Sequence, residues 1–228
     1  MKILAVDSSA VTASCALVED GKLLSYGFVN AGLTHSQTLM PLVSQVLSDA
    51  DIELSEIDKL AVSNGPGSFT GVRIGVSTVK GLAFTGNIPC CGISSLLAAA
   101  YPFSALNGHV CAVMDARRSQ VYTATFKTGE KPIRLTDDRA ISVADLTDEL
   151  ADLEGDIWLC GDGAQMCYDI MHDRIPNVKL APQLLRYQNA FGVALAAFDS
   201  ECCDAAKLLP VYLRLPQAER ELKEKSLK

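Results

Sequence analysis

Apolar residues follow two different periods along the first half of the chain. Four short, mostly apolar runs bounded by turn residues are typical of buried β-strands. Two longer segments carry apolar residues at every third or fourth position, which is typical of amphipathic helices. The first helix has Thr34 as its expected N-cap, and Pro41 is a point where it kinks or starts late. The predicted strands are residues 3–6, 13–18, 23–29 and 57–62, and the predicted helices are residues 35–49 and 70–84.

The same order of elements returns in the second half at an offset of 108 residues. That offset places Asp7 on Asp115, each at the end of a first strand, and it also matches a glycine turn after each second strand. The repetition favours duplication of one βββαβα unit. We therefore predict two lobes, residues 1–105 and 106–228. In the second lobe the predicted strands are residues 110–114, 121–126 and 157–160, with a third meander strand after the glycine turn, and the helices are residues 143–150 and 164–171.

Two such halves face one another in the actin-like ATPase superfamily, which includes chaperone ATPases and sugar kinases. The shared plan predicts an α/β, actin-like (ASKHA) fold with a cleft between the lobes. Asp7, Ser8 and Ser9 lie at the first strand-to-strand turn, where this superfamily holds metal and phosphate with an acidic residue, a glycine and a hydroxyl. Their position makes the three residues candidate nucleotide ligands. Ser9 replaces the glycine, however, and its β-carbon stands where the backbone would approach phosphate, so an Asx or Ser turn that closes a hairpin is an equally good interpretation.

The second lobe offers two further candidates at the expected cleft. Asp115-Ala116-Arg117-Arg118 is the matching first-strand turn, and its arginines either meet phosphate or form surface ion pairs. Gly161-Asp162-Gly163-Ala164 stands where the superfamily places an adenosine-binding turn, and it is otherwise a simple strand-to-helix connection. Neither segment by itself indicates catalysis.

Composition narrows the class of protein. A chain of 228 residues, 49% hydrophobic and 21% charged, is long enough for one large or two modest folded domains. The formal net charge of −7 argues against a surface that neutralises many phosphates, so any role in RNA chemistry is expected to be indirect.

Cysteine usage and the apolar runs point to the cytoplasm. The amino terminus lacks the apolar region of a secretory signal, and no segment reaches the length of a membrane span. The eight cysteines include no C-x-x-C pair, so we expect reduced thiols and no zinc site. The three histidines are scattered and no G-x-S-x-G elbow occurs, so neither a metal site nor a hydrolase triad is indicated.

The segment from Ser63 to Gly75 reads SNGPGSFTGVRIG and leads from a predicted strand into a predicted helix. Its glycines allow a sharp turn and a close backbone approach, and the amides at the helix start could bind an anion. It matches neither of the common nucleotide-loop patterns. Gly71 and Gly75 give the helix a small face, which packs either within the fold or against a partner.

Five segments together resemble the TsaB family, formerly called YeaZ. The resemblance covers nearly the whole chain, and the glycine segment is its most specific part. The segments are Asp7-Ser8-Ser9, His35-Ser36, Ser63 to Gly75, Asp115-Ala116-Arg117 with Val121-Tyr122, and Pro210-Val211-Tyr212-Leu213-Arg214.

The resemblance implies a non-catalytic protein needed for threonylcarbamoyladenosine (t6A) in bacterial tRNA. TsaB is similar to TsaD, which binds metal and transfers the threonylcarbamoyl group to adenosine beside the anticodon. TsaD carries its metal histidines as His-x-x-x-His. Ser95 and Ala99 stand at the matching positions here, and neither can replace an imidazole.

The resemblance also implies a heterodimer with TsaD through the first-lobe helices and an assembly with the ATPase TsaE. The isolated chain is expected to form a homodimer and to contact tRNA only indirectly. The only cofactor expected is ATP or ADP, bound at the partner interface. The expected interface residues are His35, Leu39, Leu42, Val43, Val46, Phe69, Gly71, Val72, Gly75, Val76 and Val79.

Two other functions remain open. Asp7, Asp115 and the duplicated plan are compatible with an actin-fold ATPase or small-molecule kinase. A peptidase function, once attached to relatives of this family, has no triad or metal-cluster signature to support it.

Overall fold

The computed structural model describes residues 1–214. Residues 217–228, whose alternating acidic and basic side chains predict a solvated helix or a frayed end, lie outside the described residues. In the first half the strands are β1 (Lys2–Asp7), β2 (Ala13–Glu19), β3 (Lys22–Val29), β4 (Lys59–Gly65) and β5 (Cys90–Ser94), and the helices are α1 (His35–Asp49), α2 (Phe69–Gly86) and α3 (Ser95–Ala100). In the second half the strands are β6 (His109–Asp115), β7 (Gln120–Lys127), β8 (Ile133–Arg134), β9 (Arg139–Ser142), β10 (Ile157–Cys160) and β11 (Val178–Leu180), and the helices are α4 (Val143–Ala151), α5 (Ala164–Met171), α6 (Gln183–Arg186) and α7 (Ala190–Ala197).

Two sheets share one topology, which confirms the predicted duplication. The first sheet has the order β3-β2-β1-β4-β5, with antiparallel pairing among β1, β2 and β3 and parallel pairing of β1 with β4 and of β4 with β5. The second sheet repeats it as β8-β7-β6-β10-β11. The third strand of the second meander is split, because β8 and β9 both pair with β7.

Helix starts follow the capping residues in the sequence. Ser68, Ser94, Ser142 and Asn189 each accept a hydrogen bond from a backbone amide in the first turn of α2, α3, α4 and α7, respectively. Thr34 does occupy the N-cap of α1, but its side chain makes no capping hydrogen bond. The helix runs through Pro41.

Helices cover both faces of the first sheet. α1 and α2 bury their apolar stripes against one face in a core that includes Leu4, Leu60 and Val76. α7 packs on the opposite face against Ile3 and Ala16. α3 lies between the two sheets, because its residues contribute to the cores of both. The lobe boundary between residues 105 and 106 stays a prediction. The structure also shows a crossing that was not predicted, because α7 belongs to the second half of the chain but lies on the first sheet.

Within residues 1–214, no helix combines the length and the apolar character that a membrane crossing requires.

Candidate functional site: the cleft between the lobes

The carboxylate of Asp7 is enclosed by the hydroxyls and amides of its own lobe. Its Oδ1 accepts hydrogen bonds from the Ser9 amide and the Ser9 hydroxyl, both at 2.8 Å, and its Oδ2 accepts one from the Ser63 hydroxyl at 2.5 Å. Asp7 has no exposed surface. Burial raises the pKa of Asp7, and the hydrogen bonds from Ser63 and Ser9 oppose that rise. The geometry is that of a hairpin-closing turn rather than an open phosphate cradle.

The glycine segment is packed directly onto this turn. The Ser68 amide donates to the Ser9 carbonyl at 2.7 Å, and the Ser8 hydroxyl donates to the Gly71 carbonyl at 2.9 Å. A β-carbon at Gly71 would overlap the Ser8 carbonyl oxygen, so only glycine allows α2 to approach this closely. Of the three nucleotide candidates, Asp7 and Ser8 therefore face inward, and only Ser9 borders the cleft. The small face of α2 packs within the fold.

The cleft itself measures about 420 Å³ and lies between the glycine segment and the first-strand turn of the second lobe. Asp115 and Arg117 line its far side, and the Arg117 amide donates to Asp115 Oδ1 at 2.7 Å. Asp162, from the predicted adenosine-binding turn, lines it too. Burial raises the pKa of Asp162 to about 6, and a hydrogen bond from Gln188 Nε2 at 3.0 Å opposes the rise. The second-lobe candidates therefore do reach the cleft.

Residues 209–214, which we call the C-terminal strap, close one side of the cleft. The Val211 amide donates to the Asn64 carbonyl at 2.7 Å, and Asn64 Nδ2 donates to the Leu209 carbonyl at 3.2 Å. Gly65 has a positive φ of 126°, and a β-carbon there would overlap the Val211 carbonyl oxygen. The glycine segment therefore packs directly against the C-terminal strap.

Side chains of the strap contact both lobes. The Tyr212 ring stacks on Phe69 with centroids 4.6 Å apart. Arg73 lies over the Phe69 ring at 3.8 Å and donates from Nε to the Tyr212 hydroxyl at 2.9 Å. On the other side, Arg214 donates to the Ala116 carbonyl at 3.2 Å. From the sequence, Pro210 to Arg214 was identified only as part of the family resemblance, and its place in the cleft was missed. The tyrosine and arginine in the sequence YLR were the available signal.

Known proteins of the threonylcarbamoyladenosine pathway are similar to this chain over most of its length. The family model described as tRNA N6-adenosine threonylcarbamoyltransferase, TsaD, matches residues 29–219. The tRNA threonylcarbamoyladenosine biosynthesis protein TsaB of Bacillus subtilis is 29% identical over 221 residues, 96% of each chain. The solved structure of YeaZ from Pseudomonas aeruginosa is 27% identical and superposes with a TM-score of 0.77 over 93% of this chain and 99% of that one.

The chain belongs to the TsaB family. Its fold is actin-like, and it also superposes on component A of the (R)-2-hydroxyglutaryl-CoA dehydratase of Acidaminococcus fermentans with a TM-score of 0.55 over 86% of this chain and 97% of that one. At 13% identity, that second likeness concerns the fold alone.

The interface expected from the TsaB resemblance needs a correction in the helices. Most of its residues are buried in this chain's own core and cannot contact a partner in this conformation, because their side chains pack on the first sheet. His35, Leu42 and Phe69 are half-buried. The buried ones are Leu39, Val43, Val46, Gly71, Val72, Gly75, Val76 and Val79.

A different set of residues faces outward from the same two helices, and we call it the outer face. It combines small residues with exposed apolar ones. Phe84 is 90% exposed and Met40 is 44% exposed. Ser44, Ser77 and Gly81 are exposed as well, and a β-carbon at Gly81 would meet no atom within 4 Å.

The metal-binding positions implied by TsaD do not fit a metal here. Ser95 and Ala99 lie on α3, and both are buried. The Ser95 hydroxyl has no hydrogen-bond partner, and Ala99 offers only a methyl group. Within residues 1–214, no group of three or more His, Cys, Asp or Glu side chains is arranged to hold a metal ion. His35 instead bonds the Ala10 carbonyl through Nε2 at 2.7 Å, which ties α1 to the β1–β2 turn.

Proposed function

We propose that this chain is a non-catalytic scaffold of the t6A modification complex, which binds and stabilises TsaD together with TsaE. The observation that carries the proposal is the pair of positions on α3, where a buried hydroxyl and a methyl replace two metal-binding imidazoles. The enclosed carboxylate of Asp7 supports it, because all of its hydrogen bonds in the structure come from its own lobe.

The outer face is the surface we propose for TsaD. It lies on the helices that the family resemblance implicates, and it exposes a large aromatic side chain, Phe84, beside the open position at Gly81. Aromatic residues and methionine are enriched at the cores of protein interfaces, and Phe84 and Met40 are of those types. The same face would support a homodimer when the partner is absent. A cytoplasmic location and an indirect contact with tRNA are consistent with the acidic net charge of −7.

Reconstitution of t6A formation tests the proposal. Purified TsaD, TsaE, the enzyme that makes threonylcarbamoyl-adenylate, and tRNA are assayed with and without this chain. We expect modification to depend on the chain. Equal t6A yield in its absence would refute the scaffold role.

A variant pair tests the surface. Gly81→Arg places a long charged side chain on the outer face without a clash in this chain, and arginine is a better helix former than glycine, so we expect a melting temperature no lower than that of the unsubstituted protein together with loss of TsaD co-purification. Leu184→Arg, at a residue of the second half that is 94% exposed, is the matched control and should retain TsaD. Retention of TsaD by Gly81→Arg would place the interface elsewhere.

An ATPase or small-molecule kinase is the second candidate, because Asp115 and Asp162 both line the cleft. Titration calorimetry with ATP and magnesium tests it, with Asp115→Ala as the variant. Binding that Asp115→Ala abolishes would favour this candidate. The absence of binding heat would remove it.

A further inference from the structure

Two adjacent cysteine pairs meet at the open edge of the first sheet. β5 is the edge strand and begins at Cys90. Cys203 pairs with it as an isolated antiparallel bridge: the Cys90 amide donates to the Cys203 carbonyl at 2.9 Å, and the Cys203 amide donates to the Cys90 carbonyl at 2.8 Å. Residues that exchange both hydrogen bonds have Cα atoms about 5.5 Å apart. That separation is inside the range found in disulfides, roughly 4.4–6.8 Å.

The side chains of this pair lie on the same face of the sheet. Cys90 and Cys203 both pack against the core beneath α1 and α2, whereas Cys91 belongs to the core on the opposite face. Burial raises the pKa of Cys90 to about 11, and among neighbouring charges the Cys203 thiolate contributes most to that rise. Cys203 is therefore the thiol that lies best for reaction with Cys90.

Solvent has access to the Cys203 side of the pair. A shallow cavity of about 290 Å³ is lined by Cys202, Cys203 and Lys207 and leads to the bridge. Cys202 is exposed, Cys203 is half-buried and Cys90 is fully buried. A small oxidant therefore meets Cys203 before Cys90. All eight cysteines are free thiols in the structure.

We propose that Cys90 and Cys203 are a peroxide-sensitive pair that forms a reversible disulfide and fastens the last part of the chain to the first sheet. The Cys203 thiolate attacks hydrogen peroxide: an S–O bond forms, the O–O bond breaks, and the leaving hydroxide takes a proton to become water. The Cys90 thiolate then attacks the sulfenic sulfur, the S–S bond forms, and the second oxygen leaves as water. Two thiols and one peroxide give one disulfide and two waters, and a dithiol reverses the reaction.

The link would hold the segment that leads to the cleft. In a hydrogen-bonded opposite pair the Cβ atoms lie toward the upper end of the roughly 4.5–5.5 Å range, and a disulfide needs a separation about 1–2 Å shorter. The proposal therefore requires the exposed segment around Cys202 to move inward by that amount. Five residues beyond Cys203, Leu208 is buried in the core beneath α2, and Lys80 donates to its carbonyl at 3.1 Å. The C-terminal strap begins at the next residue. Oxidation would therefore anchor the strap covalently, independently of any partner protein.

Peptide mapping of the full-length protein tests the proposal. The protein is treated with hydrogen peroxide, remaining thiols are blocked with N-ethylmaleimide, and digests are compared with and without reduction. We expect one cross-link between the peptide of Cys90 and the peptide of Cys203, a higher melting temperature, and reversal of both by dithiothreitol. Cross-linking should become faster at higher pH, because the raised pKa of Cys90 limits its thiolate.

Single variants assign the link. Cys203→Ser and Cys90→Ser should each abolish it, and Cys202→Ser and Cys91→Ser, the adjacent matched controls, should retain it. A cross-link that persists in Cys203→Ser, a link from Cys91 to Cys202, or oxidation of Cys202 without any link would each overturn the proposal. Circular dichroism of all four variants before oxidation checks that they fold.

Discussion

The two lobes share a strand order, but the aspartate at the end of the first strand is buried in one lobe and exposed in the other. In the first lobe Asp7 is fully buried and bonded by Ser9 and Ser63. In the second lobe the equivalent Asp115 is exposed on the cleft, and its carboxylate accepts a hydrogen bond from the Arg117 amide. The same residue at the same topological position is thus structural in one lobe and accessible in the other. Of the two aspartates, only the one in the second lobe presents its carboxylate to the cleft.

Substitution of these two aspartates should give the largest contrast. Asp7→Ala leaves the Ser63 hydroxyl and the Ser9 amide buried without an acceptor, so we expect a loss of about 3 kcal/mol of unfolding free energy. Asp115→Ala removes an exposed side chain and should cost less than about 1 kcal/mol. Urea denaturation measures both. Similar losses for the two variants would erase the distinction between the lobes.

The next effect concerns Asp162, a half-buried carboxylate of the second lobe at the cleft. Because the folded-state pKa of Asp162 is raised to about 6, the folded protein binds more protons than the unfolded chain between pH 4 and 6, and its stability falls as pH rises through that window. Asp162→Asn should remove this fall and add about 2 kcal/mol at pH 7. Melting temperatures from pH 4 to pH 8 check it, and a parallel profile for the two proteins would contradict the assignment.

Two glycines of α2 should respond to alanine with opposite signs. At Gly75 a β-carbon would lie 2.8 Å from the Ser8 hydroxyl oxygen and 3.1 Å from a Val62 methyl carbon. Gly75→Ala should therefore lower the free energy of unfolding by about 1 kcal/mol. At Gly81 the space is open, and alanine's better helix propensity should stabilise by up to about 1 kcal/mol. Thermal denaturation of the two variants gives the comparison. Equal signs would mean that α2 does not approach Ser8 as described.

The smallest effect is expected at the contact between the C-terminal strap and the second lobe. Arg214→Ala removes the hydrogen bond to the Ala116 carbonyl, and we expect a loss of about 1 kcal/mol or less. Hydrogen exchange should become faster at the strap amide of Val211 while the amides of β1 stay protected. Lys127→Ala, an exposed substitution at the end of β7, is the control. Unchanged exchange in Arg214→Ala would show that this contact does not hold the strap.

Most secondary elements could be predicted because local signals and global packing agree. Helices 35–49 and 164–171 and strand 157–160 have the predicted bounds, and the two halves repeat one topology. The split of the third strand in the second lobe was not predicted. β8 and β9 hold only two and four residues, too few to give a strand period.

The site was harder to predict, since its parts come from distant segments. An apolar period shows that α1 and α2 have an apolar stripe, but not whether that stripe covers their own sheet or another protein. The sequence therefore suggested that Val72 and Val76 belong to a partner interface, whereas the structure buries both in the core of the first lobe. The strap meets the glycine segment across more than 140 residues, as between Asn64 and Leu209, and no local pattern reports such a contact.

The crossing of α7 onto the first sheet has a consequence for synthesis. Ile3, Ala16 and Ile93 are translated well before α7, the helix that covers their face of the sheet. Until then the nascent chain carries an uncovered apolar surface, the kind of species that chaperones bind and that aggregates when crowded. Premature termination before residue 190 should accordingly yield an insoluble or rapidly degraded product, and not a stable amino-terminal half.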